Sequence, residues 1–142
     1  MSFIKPTKDK LKLFLIIIFS IIIVSVLFIL VNRFLTTKLF LSGHPTYYQL
    51  SYFFLNLIRY FVIAYLIMFF YKKKLSLKGE YYFIFKIVIL LAVFSYLNHS
   101  FFGFIGSINP EIFFTNWINL IFPIVNIFLC YLLACIVYKF KF

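Results

Sequence analysis

Residues 13–31 read LFLIIIFSIIIVSVLFILV, a stretch of nineteen residues that contains no charged side chain. The hydrocarbon core of a bilayer is about 30 Å thick, and a helix needs roughly 20 mainly apolar residues to cross it. A chain inside this core must also satisfy its own backbone hydrogen bonds, which a helix does. The stretch therefore predicts a transmembrane helix and places the chain among integral membrane proteins.

Three further apolar stretches follow the first one. They cover about residues 47–70, 82–97 and 113–137. Hydrophobic residues make up 65% of the 142 residues and charged residues only 12%, whereas about a quarter of the residues in a typical globular domain are charged. The sequence thus predicts an all-α membrane protein, a four-helix transmembrane bundle that forms one integral membrane domain over residues 1–142.

The basic residues are distributed unevenly between the segments that connect the spans. Eleven of the fourteen lysines and arginines lie before the first span, around the connector between the second and third spans, or after the fourth span, and the other two connectors carry only Arg33 and Lys38. Basic loops stay on the cytoplasmic side of a membrane. We therefore expect a multi-pass protein of the cell inner (cytoplasmic) membrane with both termini in the cytoplasm.

The net charge of +11 has the same explanation. Lysines beside hydrophobic spans orient a membrane protein and contact anionic lipid headgroups. We therefore expect membrane lipids as partners and no nucleic acid.

Two of the predicted spans carry polar residues with the same spacing. The second span has Gln49, Tyr52, Asn56 and Arg59, and the fourth has Asn116, Asn119, Pro123 and Asn126. At about 100° per residue, each set falls within an arc of about 80° and forms one stripe on its helix. Both spans run in the same direction, so the stripes occupy the same depth. Because polar groups in a membrane face protein or water, we expect the two stripes to lie against each other as a polar seam.

Arg59 is the residue of this seam with the clearest chemical consequence. A charge at the bilayer centre costs roughly 2.5–3.5 kcal/mol on insertion scales. The acidic residues of the chain are Asp9, Glu80 and Glu111, and none is expected at that depth. Arg59 is then satisfied by Asn126 and free carbonyls, by water, by an anionic ligand or by the acid of a partner subunit, unless it extends along its own helix to the surface.

A simpler interpretation is that the seam only joins helices through hydrogen bonds, worth about 0.6–2 kcal/mol each. Pro123 is expected to kink the fourth helix, because a proline inside a helix leaves the carbonyl four residues earlier, on Asn119, without its donor.

The sequence contains no Walker loop, zinc-protease motif or nucleophile elbow. His44 and His99 are single histidines in two connectors, a pattern more typical of ordinary loop residues than of a metal site. We expect no catalytic residues, no metal and no cofactor.

Two stretches of the chain share a pattern with a known family. Residues 32–45 begin with Asn32-Arg33-Phe34, and residues 54–60 read FLNLIRY. These stretches resemble the small membrane proteins that accompany exosortases in Bacteroidetes-type bacteria. They cover less than a quarter of the chain, which lacks that family's acidic residue after the first span and its basic, aromatic C-terminal signature. The resemblance implies an accessory role in sorting or processing surface proteins, without the catalytic residues of the exosortase itself.

The leading functional hypothesis is a non-enzymatic accessory or interaction subunit of a membrane system. Small size, short loops and the lack of catalytic motifs favour it, and Arg59 would then meet the acid of a membrane-protein partner, or the chain would associate with itself. The alternatives are a small transport or lipid-handling protein whose outward-facing seam binds an anionic ligand, a subunit of a respiratory complex, and a bacteriocin-immunity protein.

Overall fold

A computed structural model of the chain describes residues 3–71, 77–108 and 116–140. These residues form the helices α1 (Lys8–Leu35), α2 (Pro45–Tyr71), α3 (Leu77–Ile108) and α4 (Asn116–Tyr138), and a π-helical turn (Thr36–Phe40) prolongs α1. All four helices are long and apolar enough to cross a membrane. The predicted all-α, four-helix architecture of a multi-pass membrane protein is confirmed.

α1 and α3 extend beyond both limits of the predicted spans 13–31 and 82–97, and residues 113–115 of the fourth predicted span lie outside the described residues. α1 begins where the Thr7 hydroxyl accepts a hydrogen bond from the Lys10 backbone N–H at 3.3 Å, which satisfies one of the donors that a helix start leaves free. α3 continues to Ile108, so Asn98 and His99 lie in a helix and not in the connector where the sequence suggested them. The helix continues through both kinds of polar position, since Asn98 is half-buried and His99 is exposed.

Large apolar side chains cover the outer surface of every helix. Leu15 is 63% exposed, Phe53 59%, Phe85 59% and Ile124 65%. Soluble proteins rarely expose continuous apolar surface on this scale. The surface fits the hydrocarbon of a bilayer.

The helices form a bundle in which α3 and α4 are the least closely packed of the neighbouring pairs. α1 packs along both α2 and α4, and α2 packs along α3, whereas α3 and α4 meet over a short stretch. Within the described residues, α2 and α4 do not pack against each other. They therefore occupy opposite corners of the bundle, and its loosest side lies between α3 and α4.

The two ends of the described chain lie at one end of the bundle, called the terminal end below. The Lys139 ammonium lies 4.4 Å from the centre of the Phe3 ring. Phe140 lies edge-on to Phe83, near the start of α3, with ring centres 6.5 Å apart. The opposite end is called the far end.

The buried core is concentrated in the half of the bundle next to the terminal end. It consists of Leu13, Ile17 and Val24 of α1, Ile63, Ala64 and Ile67 of α2, Phe83, Ile87, Val88 and Leu91 of α3, and Leu133, Ala134 and Val137 of α4. The positions on α2 and α3 recur every three or four residues, the spacing of one helix face. Helices in lipid associate mainly through close packing, so this half holds the bundle together.

We expect Ile67→Ala to lower the free energy of unfolding by about 2 kcal/mol, because Ile67 is fully buried and its loss leaves a void. Ile58→Ala is the matched control on the same helix: Ile58 is 57% exposed, and surface substitutions change stability by about 0.5 kcal/mol or less. Unfolding in mixed micelles followed by circular dichroism measures both. Equal losses would contradict the assignment of Ile67 to the core.

Candidate ligand-binding cavity

A cavity of about 540 Å³ lies between the core and the far end, and all four helices contribute to its wall. Sites for small molecules usually measure roughly 300–1,000 Å³. The wall is mainly apolar. Its charged, amide and serine side chains are Ser25, Arg59, Ser95, Asn98 and Asn126.

Arg59 lies at the middle of the apolar part of α2. It comes thirteen residues after Thr46 and twelve before Tyr71, the ends of that span. At 1.5 Å per residue, it is about 18–20 Å from either end. Asn126 comes twelve residues before Tyr138, the corresponding end of α4. Arg59 and Asn126 therefore lie at the same depth, near the centre of the membrane.

Two contacts with α1 hold the Arg59 side chain. Its Nη2 donates a hydrogen bond to Ser25 Oγ at 2.9 Å. The central carbon of the guanidinium lies 4.8 Å from the centre of the Phe28 ring, as in a cation–π interaction. The head group is thereby directed to α1 and the cavity and does not extend along the outer surface of α2.

Most of the hydrogen-bonding capacity of Arg59 is unused within the described residues. A guanidinium has five N–H donors, Ser25 accepts one, and the buried Nε has no partner in this part of the chain. Asp9 and Glu80 lie in the first turns of α1 and α3, at the terminal end, and Glu111 lies outside the described residues. No carboxylate that the structure describes therefore neutralises Arg59.

The four residues of the polar stripe predicted on α2 lie in four different environments. Arg59 lines the cavity. Tyr52 packs against Phe28 of α1, with ring centres 5.8 Å apart. Asn56 is half-buried outside the cavity lining, and Gln49 is exposed. Only the residue of this stripe nearest the membrane centre reaches the cavity.

The stripe predicted on α4 is described in part. Pro123 and Asn126 line the cavity, and α4 continues through Pro123 as one helix. The side chains of Asn116 and Asn119 lie outside the described part of the structure, so their roles stay predictions.

The direct contact expected between the two stripes does not form between the described residues, because α2 and α4 occupy opposite corners. Asn126 pairs with α3: Asn98 Nδ2 donates to Asn126 Oδ1 at 3.1 Å, and Asn126 Nδ2 donates to the Phe122 carbonyl at 2.8 Å. Arg59 and Asn126 therefore lie on opposite walls of one cavity, and the predicted seam is open space between them.

Three polar residues of the cavity, Ser25, Ser95 and Asn98, are not among those predicted from the sequence, and Asn98 lies where the sequence predicts a connector. A signal for it exists in the spacing of Leu91, Ser95 and Asn98, which follow one another at four and three residues and so share a helix face. All three line the cavity.

The exposed part of the cavity lining lies on α3 and α4. Its lining residues on α1 and α2 are buried or half-buried, whereas Ser95 of α3 and Phe122 and Pro123 of α4 are exposed. These three residues are called the mouth below. Ser95 lies inside the apolar span of α3, Lys78–Phe104. The mouth therefore faces lipid.

No protein-family model, curated protein or solved structure matches the chain.

The hydrogen bond between Asn98 and Asn126 should be visible as an energetic coupling. In a double-mutant cycle with Asn98→Ala and Asn126→Ala, we expect a coupling free energy of about 0.6 kcal/mol, the average for hydrogen bonds between membrane helices. The control cycle pairs Asn56→Ala with Asn126→Ala. These two residues do not contact each other, so their effects on the free energy of unfolding should be additive. Unfolding free energies in micelles give both values, and additivity in the first cycle would contradict the bond.

Proposed function

We propose that this chain is a non-enzymatic accessory subunit of a membrane system, and that it holds an anionic group of another molecule in its cavity. One observation carries the proposal: the Arg59 guanidinium lies in the wall of an open cavity at mid-depth, with one described hydrogen bond and no described carboxylate near it. A charge at that depth costs roughly 2.5–3.5 kcal/mol. An anion in the cavity would offset this cost.

Charge-assisted hydrogen bonds explain why an anion would be selected. A guanidinium presents its donors in a planar fork that matches the oxygens of a carboxylate or a phosphate. Ser25 and Phe28 orient this fork from one side. The remaining N–H groups are then available to a ligand, and Asn98 and Asn126 contribute amides to the same cavity.

The accessory role is supported by the size of the chain and by the resemblance of residues 32–45 and 54–60 to exosortase-associated membrane proteins. Arg59 belongs to the second of these stretches. In this proposal, the anionic group is presented to, or supplied by, another component of the membrane system.

The charge distribution supports an orientation in which the terminal end faces the cytoplasm. Eleven of the fourteen basic residues flank this end of the spans, as the positive-inside rule requires of a cytoplasmic face. A fluorescent protein fused after Phe142 should fluoresce, and alkaline phosphatase fused there should be inactive. An active phosphatase would contradict the orientation.

The proposed function predicts that Arg59→Leu releases the bound anionic molecule. The full chain is purified in mild detergent, and native mass spectrometry identifies the molecules retained with it. We expect the wild type to retain one anionic molecule or acidic partner per chain, and Arg59→Leu to retain at least about tenfold less, since a charged hydrogen bond contributes about 1.5–3 kcal/mol. Arg33→Leu removes the same side chain from an exposed position outside the cavity and should retain as much as the wild type.

Ser25→Ala provides a second variant that keeps the charge and removes only the hydrogen bond orienting it. It should weaken retention less than Arg59→Leu does, and circular dichroism checks that each variant is folded. A wild type that holds no anionic molecule or acidic partner, or an Arg59→Leu variant that retains it fully, would overturn the proposal.

A further inference from the structure

We infer that the anionic group belongs to an amphiphile, a molecule with one acidic headgroup and an apolar tail, and that it enters sideways from the bilayer through the mouth. The inference rests on the proposed function and adds the chemical class of the ligand. It follows from the position of the mouth, the division of the cavity wall and the packing of α3 against α4.

The position of the mouth determines which molecules reach the cavity. Ser95, Phe122 and Pro123 are the exposed part of the lining, and they lie on helices whose neighbouring outer side chains are apolar, such as Leu97 at 52% and Ile124 at 65% exposure. A small water-borne anion would have to cross hydrocarbon to enter here. A molecule whose tail is already in the bilayer reaches the mouth without leaving the membrane.

The cavity wall is divided into a polar and an apolar part. Ser25, Arg59, Asn98 and Asn126 form the polar part at mid-depth. Ile63 comes four residues after Arg59, so it lies about 6 Å closer to the terminal end. With Ile63, the mainly apolar floor includes Ile21, Leu91 and Leu133, to which Cys130 adds a thiol. An acidic headgroup fits the polar part and the beginning of an apolar tail fits the floor.

The link between α3 and α4 is short, and Phe122 of the mouth takes part in it. Towards the far end the two helices are joined by the Asn98–Asn126 hydrogen bond and by the rings of Phe102 and Phe122, whose centres are 5.0 Å apart. They otherwise pack over a short stretch. Within the described residues, opening this side of the bundle disturbs fewer helix contacts than separating any other pair of neighbouring helices.

A carboxylate on the helix of a partner protein is the competing source of the anion. Such a helix would have to insert between α3 and α4 to reach Arg59. It would also leave the apolar floor unfilled, and an unfilled cavity loses packing contacts. The divided wall therefore favours an amphiphile.

The test separates the charge of the ligand from its tail. The full chain is reconstituted in phosphatidylcholine nanodiscs, and binding of radiolabelled oleate is measured by scintillation proximity. We expect saturable binding of one oleate per chain. Unlabelled oleate should compete with the label. Oleyl alcohol has the same tail and no charge, and acetate has the same charge and no tail. Each of these two should compete at least about tenfold less well than oleate, a difference of about 1.4 kcal/mol in binding free energy.

A pair of variants tests the route through the mouth. Ser95→Phe places a large ring at the mouth and should slow the association of oleate at least about tenfold, the effect of a barrier about 1.4 kcal/mol higher. Ser100→Phe makes the same substitution at an exposed position of α3 that does not line the cavity, and it should bind as the wild type does. Equal association rates for the two variants would overturn the proposed route.

The outcomes distinguish the inference from the proposed function. If acetate competes as well as oleate, or if the retained molecule is an acidic protein that Arg59→Leu releases while oleate does not bind, the inference is wrong and the proposed function survives. If oleyl alcohol competes as well as oleate, the ligand is an uncharged lipid and both fail. If oleate does not bind and the purified chain retains no anionic molecule, both fail as well.

Discussion

The charge of Arg59 at the centre of a membrane helix is the constraint on which the rest of the structure depends. At mid-depth it is removed from water on both sides, and a charge there costs roughly 2.5–3.5 kcal/mol. α1 supplies a hydroxyl and an aromatic face, through Ser25 and Phe28. Neither contact carries a negative charge. The bundle therefore keeps a polar, accessible space beside Arg59, and this space is the cavity.

The two halves of the bundle differ in how closely their helices pack, and this difference leaves space for the cavity. Near the terminal end the four helices share a close-packed core that includes Ile17, Ile67, Ile87 and Leu133. Because close packing is the main source of helix association in lipid, this core holds the bundle together without help from the middle of the membrane. Towards the far end, α3 and α4 are linked mainly by an amide pair and an aromatic pair. Strong packing at one end thus permits an opening at mid-depth.

The parts of this structure that the bilayer dictates could be predicted from sequence, and the parts that depend on helix neighbours could not. Bilayer thickness fixes the length of each span, so the four spans and the equal depth of Arg59 and Asn126 follow from counting residues. A stripe of polar residues identifies a helix face but does not say which helix lies opposite. Tyr52 therefore contacts α1 and not α4. Asn98 was missed because a polar residue near the end of an apolar stretch fits a connector as well as a buried helix face.

The most direct test of the account is an experimental structure of the full chain, purified from its native membrane into nanodiscs without added ligand. The account predicts non-protein density with an acidic end about 3 Å from the Arg59 guanidinium and an apolar part that continues to Ile63 or out between Ser95 and Phe122. A carboxylate of this same chain bound to Arg59, with the space between α3 and α4 closed, would contradict it.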